Sequence, residues 1–150
     1  MPANPIREGF HSITPYLFAR NASRLIEFLS AAFGGELISR MERPDGLIMH
    51  AEMRIGDSML MLGDGTGKFP PMPTSIYLYV PDCDAVYRRA LTAGGKSISE
   101  VRDLPSGERY GGIEDPCGNI WWVATHVEDL SPEEQNRRWK AFQIENRKAG

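Results

Sequence analysis

The sequence predicts an α+β protein that contains two tandem copies of a strand–helix–three-strand unit. The segments 31–39 (AAFGGELIS) and 91–99 (LTAGGKSIS) share Gly-Gly-x-x-Ile-Ser, and the shared glycines lie 60 positions apart (94 minus 34). Each copy follows an amphipathic segment, and strand-like runs lie on both sides of each segment. A repeat of this kind indicates two modules of similar structure.

One helix is predicted at the same place in each module. The apolar residues with helical spacing are Ala22, Leu25, Ile26, Leu29, Ala32 and Phe33 in the first segment, and Ala85, Val86, Ala90, Leu91 and Ala93 in the second. Asn21 and Asp82 precede these segments, where a side-chain oxygen can accept from the first free backbone amides. Each segment ends in a glycine pair, which suits the left-handed residue that closes a helix.

Eight strands complete the two βαβββ modules, one before and three after each helix. The predicted strands are 13–19, 36–42, 47–55 and 58–62, followed by 75–80, 96–101, 109–114 and 119–125. We expect one domain over 1–130, with module one at 10–63, a Gly/Pro-rich linker at 64–73 and module two at 74–126. The sheets should form a cup-shaped, partly open barrel with the helices outside. Ser131-Pro132-Glu133-Glu134 predicts a C-terminal helix over 131–150, which docks on its own chain or on a partner.

Composition excludes several classes of protein. The net charge of −3 argues against a nucleic-acid partner, which usually requires a basic surface. No apolar run reaches the roughly 18 residues that cross a bilayer, and the start of the chain lacks the apolar core of a signal peptide. The two cysteines, Cys83 and Cys117, have no metal-type spacing. We therefore expect a cytoplasmic protein without a membrane partner.

Strand parity predicts one sheet face without helices. In 47–55 the odd positions are all apolar and should pack on the helix, so Ile48, His50, Glu52 and Arg54 should lie on the other side. By the same parity this side carries the aromatic residues Tyr16, Phe18, Tyr77, Tyr79 and Trp122. Such a face is typical of a ligand cavity, where aromatic rings give area and a few polar groups give orientation. The alternatives are a subunit interface or a core closed by the curling sheet.

His50 and Glu52 are the candidate catalytic residues. They lie two apart on one strand face, roughly 6–7 Å between Cα atoms, and could act as general acid and base. The alternative is a structural polar pair bonded to Arg54 or Arg109. Arg109 and Tyr110 are candidates for contacting an anionic or polar ligand group, since arginine suits carboxylate or phosphate. The alternative for Arg109 is an ion pair with Glu108, Glu114 or Asp115.

Several motifs resemble a known family. The tandem βαβββ pattern, Asn-Ala-Ser-Arg-Leu-Ile-Glu-Phe-Leu after the first strand and Glu-Asp-Pro-Cys-Gly-Asn before the last resemble the vicinal oxygen chelate superfamily over about 10–126. That superfamily includes glyoxalase I, extradiol dioxygenases, fosfomycin-resistance enzymes and bleomycin-binding proteins. The segments 48–57 (IMHAEMRIGD), 107–111 (GERYG) and 125–134 (THVEDLSPEE) resemble its PhnB-like branch.

The resemblance implies four positions for metal ligands, two in each module. These positions fall on Thr14, Met61, Ser75 and Trp122, none of which suits a divalent first-row ion. We therefore predict no metal and no cofactor. The predicted ligand-binding residues are Thr14, Tyr16, Phe18, Met61, Ser75, Tyr77, Tyr79, Arg109, Tyr110 and Trp122.

Three functions remain open from the sequence. The first is a metal-independent homodimer that holds an aromatic or polar small molecule, as bleomycin-binding relatives do. The second is a lyase or isomerase that uses His50, Glu52 and Arg109, with or without a metal. The third is a purely structural dimer, which explains the aromatic residues but not the polar cluster.

Overall fold

The computed structural model describes residues 1–149, so position 150 of the predicted C-terminal helix lies outside the described residues. The elements of the first module are β1 (Tyr16–Ala19), α1 (Ala22–Phe33), β2 (Glu36–Glu42), β3 (Ile48–Ile55) and β4 (Ser58–Asp64). Those of the second are β5 (Ser75–Tyr79), α2 (Cys83–Thr92), β6 (Lys96–Asp103), β7 (Glu108–Glu114) and β8 (Ile120–His126), and α3 (Pro132–Ala149) follows. The βαβββ repeat and the C-terminal helix are confirmed.

Each module forms its own four-stranded mixed sheet with the same topology. The strand orders are β1-β4-β3-β2 and β5-β8-β7-β6, and in each sheet the first pair is parallel while the others are antiparallel. No backbone ladder joins the two sheets among the described residues, so the sheets do not close into a barrel. The α+β class is confirmed; that the two modules make up a single domain stays a prediction.

The helices begin and end where their capping residues dictate. Asn21 accepts from the amide of Arg24 at 3.2 Å, and Asp82 accepts from the amide of Ala85 at 3.1 Å. Gly34 closes α1 with a left-handed φ of 67°, a conformation that glycine adopts without steric cost. Gly94 has a φ of 110° but follows Ala93, which itself caps α2 in a right-handed conformation.

The two modules share one hydrophobic core, which lies on the helix side of both sheets. Leu17, Met53 and Leu62 are fully buried under α1, and the ring of Phe33 lies 5.0 Å from that of Trp121 in the second module. Helix α1 packs directly on α2. This arrangement leaves the other side of each sheet without a helix, as strand parity predicts.

A β-bulge overturns one part of the parity prediction. Met41 pairs with His50 but Glu42 pairs with Ile48, so Met49 is an extra residue in β3. Because of this bulge Ile48 points into the core and is fully buried, whereas Met49 is 49% exposed. Leu47, before the strand, is also exposed. Parity from Ala51 to Ile55 holds.

The C-terminal helix makes few contacts with the rest of the chain. Ser131 accepts from the amide of Glu134, as the capping sequence predicts, and Arg138 pairs with Glu128 at 2.7 Å. Trp139 and Ile144 remain exposed. The docking of α3 on its own chain or on a partner therefore stays a prediction. None of the helices in the described residues has the length and apolar character needed to span a bilayer.

Candidate functional site

The helix-free side of each sheet carries most of the predicted site residues. The first open face consists of Tyr16, Phe18, His50, Glu52 and Met61. The second open face consists of Ser75, Tyr77, Tyr79, Glu108, Tyr110 and Trp122. In each set the members alternate along their strands and neighbour one another across the ladders. Apart from Thr14 and Arg109, the predicted residues therefore form two groups, one in each module.

A chain of hydrogen bonds crosses the first open face. The Tyr16 hydroxyl lies 3.0 Å from His50 Nδ1, and His50 Nε2 lies 3.2 Å from Glu52 Oε1. Because an ionised carboxylate only accepts, His50 Nε2 donates to Glu52, and the Tyr16 hydroxyl donates to Nδ1 when that nitrogen carries no proton. A neutral imidazole held in one tautomer can take a proton from a neighbouring hydroxyl.

Arg7, in the irregular segment before β1, completes this chain and was not predicted from the sequence. Its two terminal nitrogens donate to the two Glu52 oxygens at 2.8 and 3.0 Å. Glu52 is 4% exposed, and hydrogen bonds from Arg7 lower its pKa despite the opposing effect of burial. Neither arginine named as a possible partner contacts Glu52, since Arg54 pairs with Glu36 and Arg109 with Asp84. Only the path of the N-terminal segment reveals this pair.

The second open face is dominated by aromatic rings. The Trp122 indole stacks on Tyr110 at 5.5 Å between centroids, and its Nε1 donates to Ser75 Oγ at 3.1 Å. Gly112 makes room for this ring, because a Cβ at that position would lie 2.8 Å from Trp122. Tyr77 and Tyr79 meet edge to face at 5.3 Å. This surface offers broad aromatic area with hydroxyl groups at its edge.

Glu108 lies among these rings and was not among the predicted site residues. Tyr79 donates to its Oε1 at 2.8 Å, and His126 Nδ1 lies 3.5 Å from the same oxygen. Burial, and then the negative charge of Glu108, raise the pKa of Tyr77 to about 12, so this hydroxyl stays protonated near neutral pH. In the sequence, the position of Glu108 two residues before Tyr110 is the signal that places Glu108 on the same face of β7.

Arg109 lies apart from the other predicted residues. Its guanidinium donates to both oxygens of Asp84 on α2, at 2.8 and 3.0 Å, and to Asp103 at 3.2 Å. It therefore lies on the helix side of β7, opposite Tyr110. These partners differ from the three acids considered from the sequence.

The four positions implied for metal ligands do not suit a divalent ion. Met61 lies on the first open face, and Thr14 precedes β1 and donates to the carbonyl of His11. Ser75 and Trp122 bond to each other on the second face. No three His, Cys, Asp or Glu side chains gather into a possible metal site within residues 1–149. His50 and Glu52 already use both ring nitrogens and both oxygens in the chain described above.

Two comparisons with known sequences bear on this fold and these faces. Residues 9–123 match the family model described as Glyoxalase/Bleomycin resistance protein/Dioxygenase superfamily. The chain is 32% identical over 134 residues to an uncharacterised protein of Mycobacterium bovis, covering 82% of this chain and 88% of that protein.

Solved structures share the fold. TioX from Micromonospora sp. ML1 superposes with a TM-score of 0.64 at 21% identity, over 81% of this chain and 100% of that one. A PhnB protein from Bacillus cereus gives a TM-score of 0.62 at 20% identity, over 77% and 99% of the two chains.

Proposed function

Since the chain belongs to the glyoxalase/bleomycin resistance protein/dioxygenase superfamily, we propose that it is a metal-independent protein that binds an aromatic or polar small molecule. The observation that carries this proposal is the second open face, where Tyr77 and Tyr79 are 44% and 61% exposed beside Tyr110 and Trp122. Aromatic area of this extent, edged by hydroxyl groups, suits a flat organic ligand better than solvent. The PhnB-like motifs and the PhnB fold relative support the same branch of the family.

A thermal-shift screen tests this function with divalent metals and aromatic antibiotics side by side. We expect organic ligands to raise the melting temperature and metals to leave it unchanged. Trp122→Leu should lose the organic shift, whereas Trp139→Leu on α3 should keep it as the matched control. A shift that appears only with a metal would refute the proposal.

We propose further that a second copy of the chain completes the binding site. Within one chain the modules are joined through α1 and α2, which pack on the opposite side of the sheets, and Tyr77 and Tyr79 on the second open face stay exposed. Met41 and Ile98, which extend these faces, are 55% and 45% exposed. Light scattering should give twice the chain mass of 16.8 kDa, and a monomer at micromolar concentration would contradict the shared site.

We place this protein in the reducing cytoplasm, which suits its two free cysteines.

A lyase or isomerase is the second candidate function, and the Tyr16–His50–Glu52–Arg7 chain favours it. Glu52 holds His50 in one tautomer, and His50 can accept the Tyr16 proton when Tyr16 takes one from a substrate. The groove beside it holds about 270 Å³ and is lined by Arg7, Thr14 and Met61 among others. In the same screen, a large metal-induced shift lost in His50→Ala or Glu52→Ala would favour a metal-assisted enzyme over the binding protein.

A further inference from the structure

Glu108 is a carboxylate whose charge is poorly compensated. Its side chain is 15% exposed, and Oε2 is buried without any hydrogen-bond partner. Oε1 accepts from the neutral Tyr79 hydroxyl, and the nearest basic group is His126, which also bonds Asp129 at 2.7 Å. Within residues 1–149 no lysine or arginine pairs with Glu108. A buried acceptor without a partner is costly, and such groups in folded proteins call for an explanation.

The rings around Glu108 are the side chains that attract organic cations. The Tyr79 hydroxyl donates to Glu108 Oε1 at 2.8 Å, and the Tyr79 ring meets that of Tyr77 edge to face at 5.3 Å. The face of an aromatic ring carries negative charge density and attracts a cation within about 6 Å of its centroid.

A cleft beside these rings gives a cation room. It holds about 360 Å³ and lies between Tyr77 and Tyr79 on one side and the β3–β4 turn, with Gly56, Asp57 and Ser58, on the other. No Lys, Arg or His is among the side chains that line it in the described part of the chain. Asp57 adds a second carboxylate at the rim. Glu108 does not line the cleft but bonds the hydroxyl of Tyr79, which does, so two carboxylates favour a positively charged ligand.

We propose that this cleft binds the cationic head of a small quaternary ammonium compound, with Tyr77 and Tyr79 as the contacting rings and Glu108 as the counter-charge behind them. The inference rests on the proposed small-molecule binding and specifies its ligand class. A quaternary head suits the site better than a primary amine, because the buried Oε2 cannot accept a hydrogen bond from the ligand. A weakly hydrated cation loses little on leaving water and gains from the ring faces.

The test compares two ligands of equal shape by NMR amide shifts in the full-length protein. The probes are benzyltrimethylammonium and neopentylbenzene, in which an uncharged carbon replaces the nitrogen. We expect the cation to bind about 5- to 30-fold more tightly, with the largest shifts at Tyr77 and Tyr79. Glu108→Gln should remove most of this preference, while Glu133→Gln, an exposed acid on α3, should keep it.

Each outcome separates this inference from the proposed function. Equal binding of both probes at this face would overturn the ammonium site and leave the small-molecule function standing. Binding of neither probe would count against both. Should Glu108→Gln lose its dispersed amide spectrum, Tyr79→Leu replaces it and should also abolish the preference. An undiminished preference in either folded variant overturns the role of that residue and with it the site.

Discussion

The two open faces share one topology but treat their acids in opposite ways. On the first face Arg7 contacts both oxygens of Glu52, and His50 bonds one of them. On the second face Glu108 Oε1 accepts from the Tyr79 hydroxyl and lies 3.5 Å from His126 Nδ1, and Oε2 has no partner among the described residues. Packing against the helices constrains only the opposite side of each sheet. The free side can therefore evolve a polar relay in one module and an aromatic surface in the other.

The largest effect is expected from breaking the compensated pair. Arg7→Ala leaves Glu52 Oε2 without its hydrogen-bond donor, and we expect the free energy of unfolding to fall by more than the loss of an exposed ion pair causes. Arg54→Ala, which removes an exposed pair with Glu36, should cost less than about 1 kcal/mol. Urea unfolding measures both. Equal decreases in the free energy of unfolding for the two variants would mean that the Arg7–Glu52 pair stabilises the fold no more than an exposed ion pair does.

Neutralising Glu108 on the second face should affect the free energy of unfolding much less than breaking the Arg7–Glu52 pair. Glu108→Gln takes away a charge whose basic neighbour, His126 at 3.5 Å, is shared with Asp129, so we expect the free energy of unfolding to change by less than about 1 kcal/mol or to rise. Glu52→Gln, measured beside it, should destabilise because it weakens the bidentate contact with Arg7. A larger loss in Glu108→Gln than in Glu52→Gln would reverse the contrast between the faces.

The two faces should respond to pH with opposite signs. The folded-state pKa of Glu52 is lowered by Arg7, so its contribution is present above the unfolded value of about 4.3 and is lost as pH falls through the folded value. The pKa of His126 is raised, first by Asp129, so its contribution is complete below about 6.5 and is lost as pH rises through the folded value.

Unfolding midpoints across the pH range measure this contrast. The difference in unfolding midpoint between wild type and Arg7→Ala should become smaller in acid. The difference in unfolding midpoint between wild type and His126→Gln should become smaller in mild alkali. Gaps of constant size would show that neither ionisation is linked to folding.

The smallest expected effect is on the titration of Tyr77. Its pKa of about 12 reflects burial first and Glu108 second, so Glu108→Gln should lower the value without restoring the ordinary one near 10. NMR of labelled tyrosine rings follows this titration residue by residue. An unchanged Tyr77 would mean that the carboxylate exerts no field on this part of the face.

Local rules predicted much of the candidate site. Alternation placed Tyr16 and Phe18 together, and likewise Tyr77 and Tyr79, because a regular strand fixes which side each residue occupies. The same rule failed at Met49, where an extra residue reverses the parity of β3. Arg109 is predicted to contact a ligand or to form a structural ion pair, and it lies on the helix side of β7, paired with Asp84. The acid that pairs with it belongs to α2, so the short-range pattern around Arg109 does not identify it.

The βαβββ repeat, the caps at Asn21 and Asp82 and the aromatic character of the helix-free side follow from the amino-acid sequence alone. These depend on residues that are near one another in the chain. Only the tertiary structure decided that Arg7 reaches Glu52, 45 residues away, and that Glu108 lies among tyrosines from another strand. Such pairings depend on the path of an irregular segment and on the order of strands in a sheet. Neither leaves a periodic trace in the sequence, because long-range contacts are set by the packing of the whole fold.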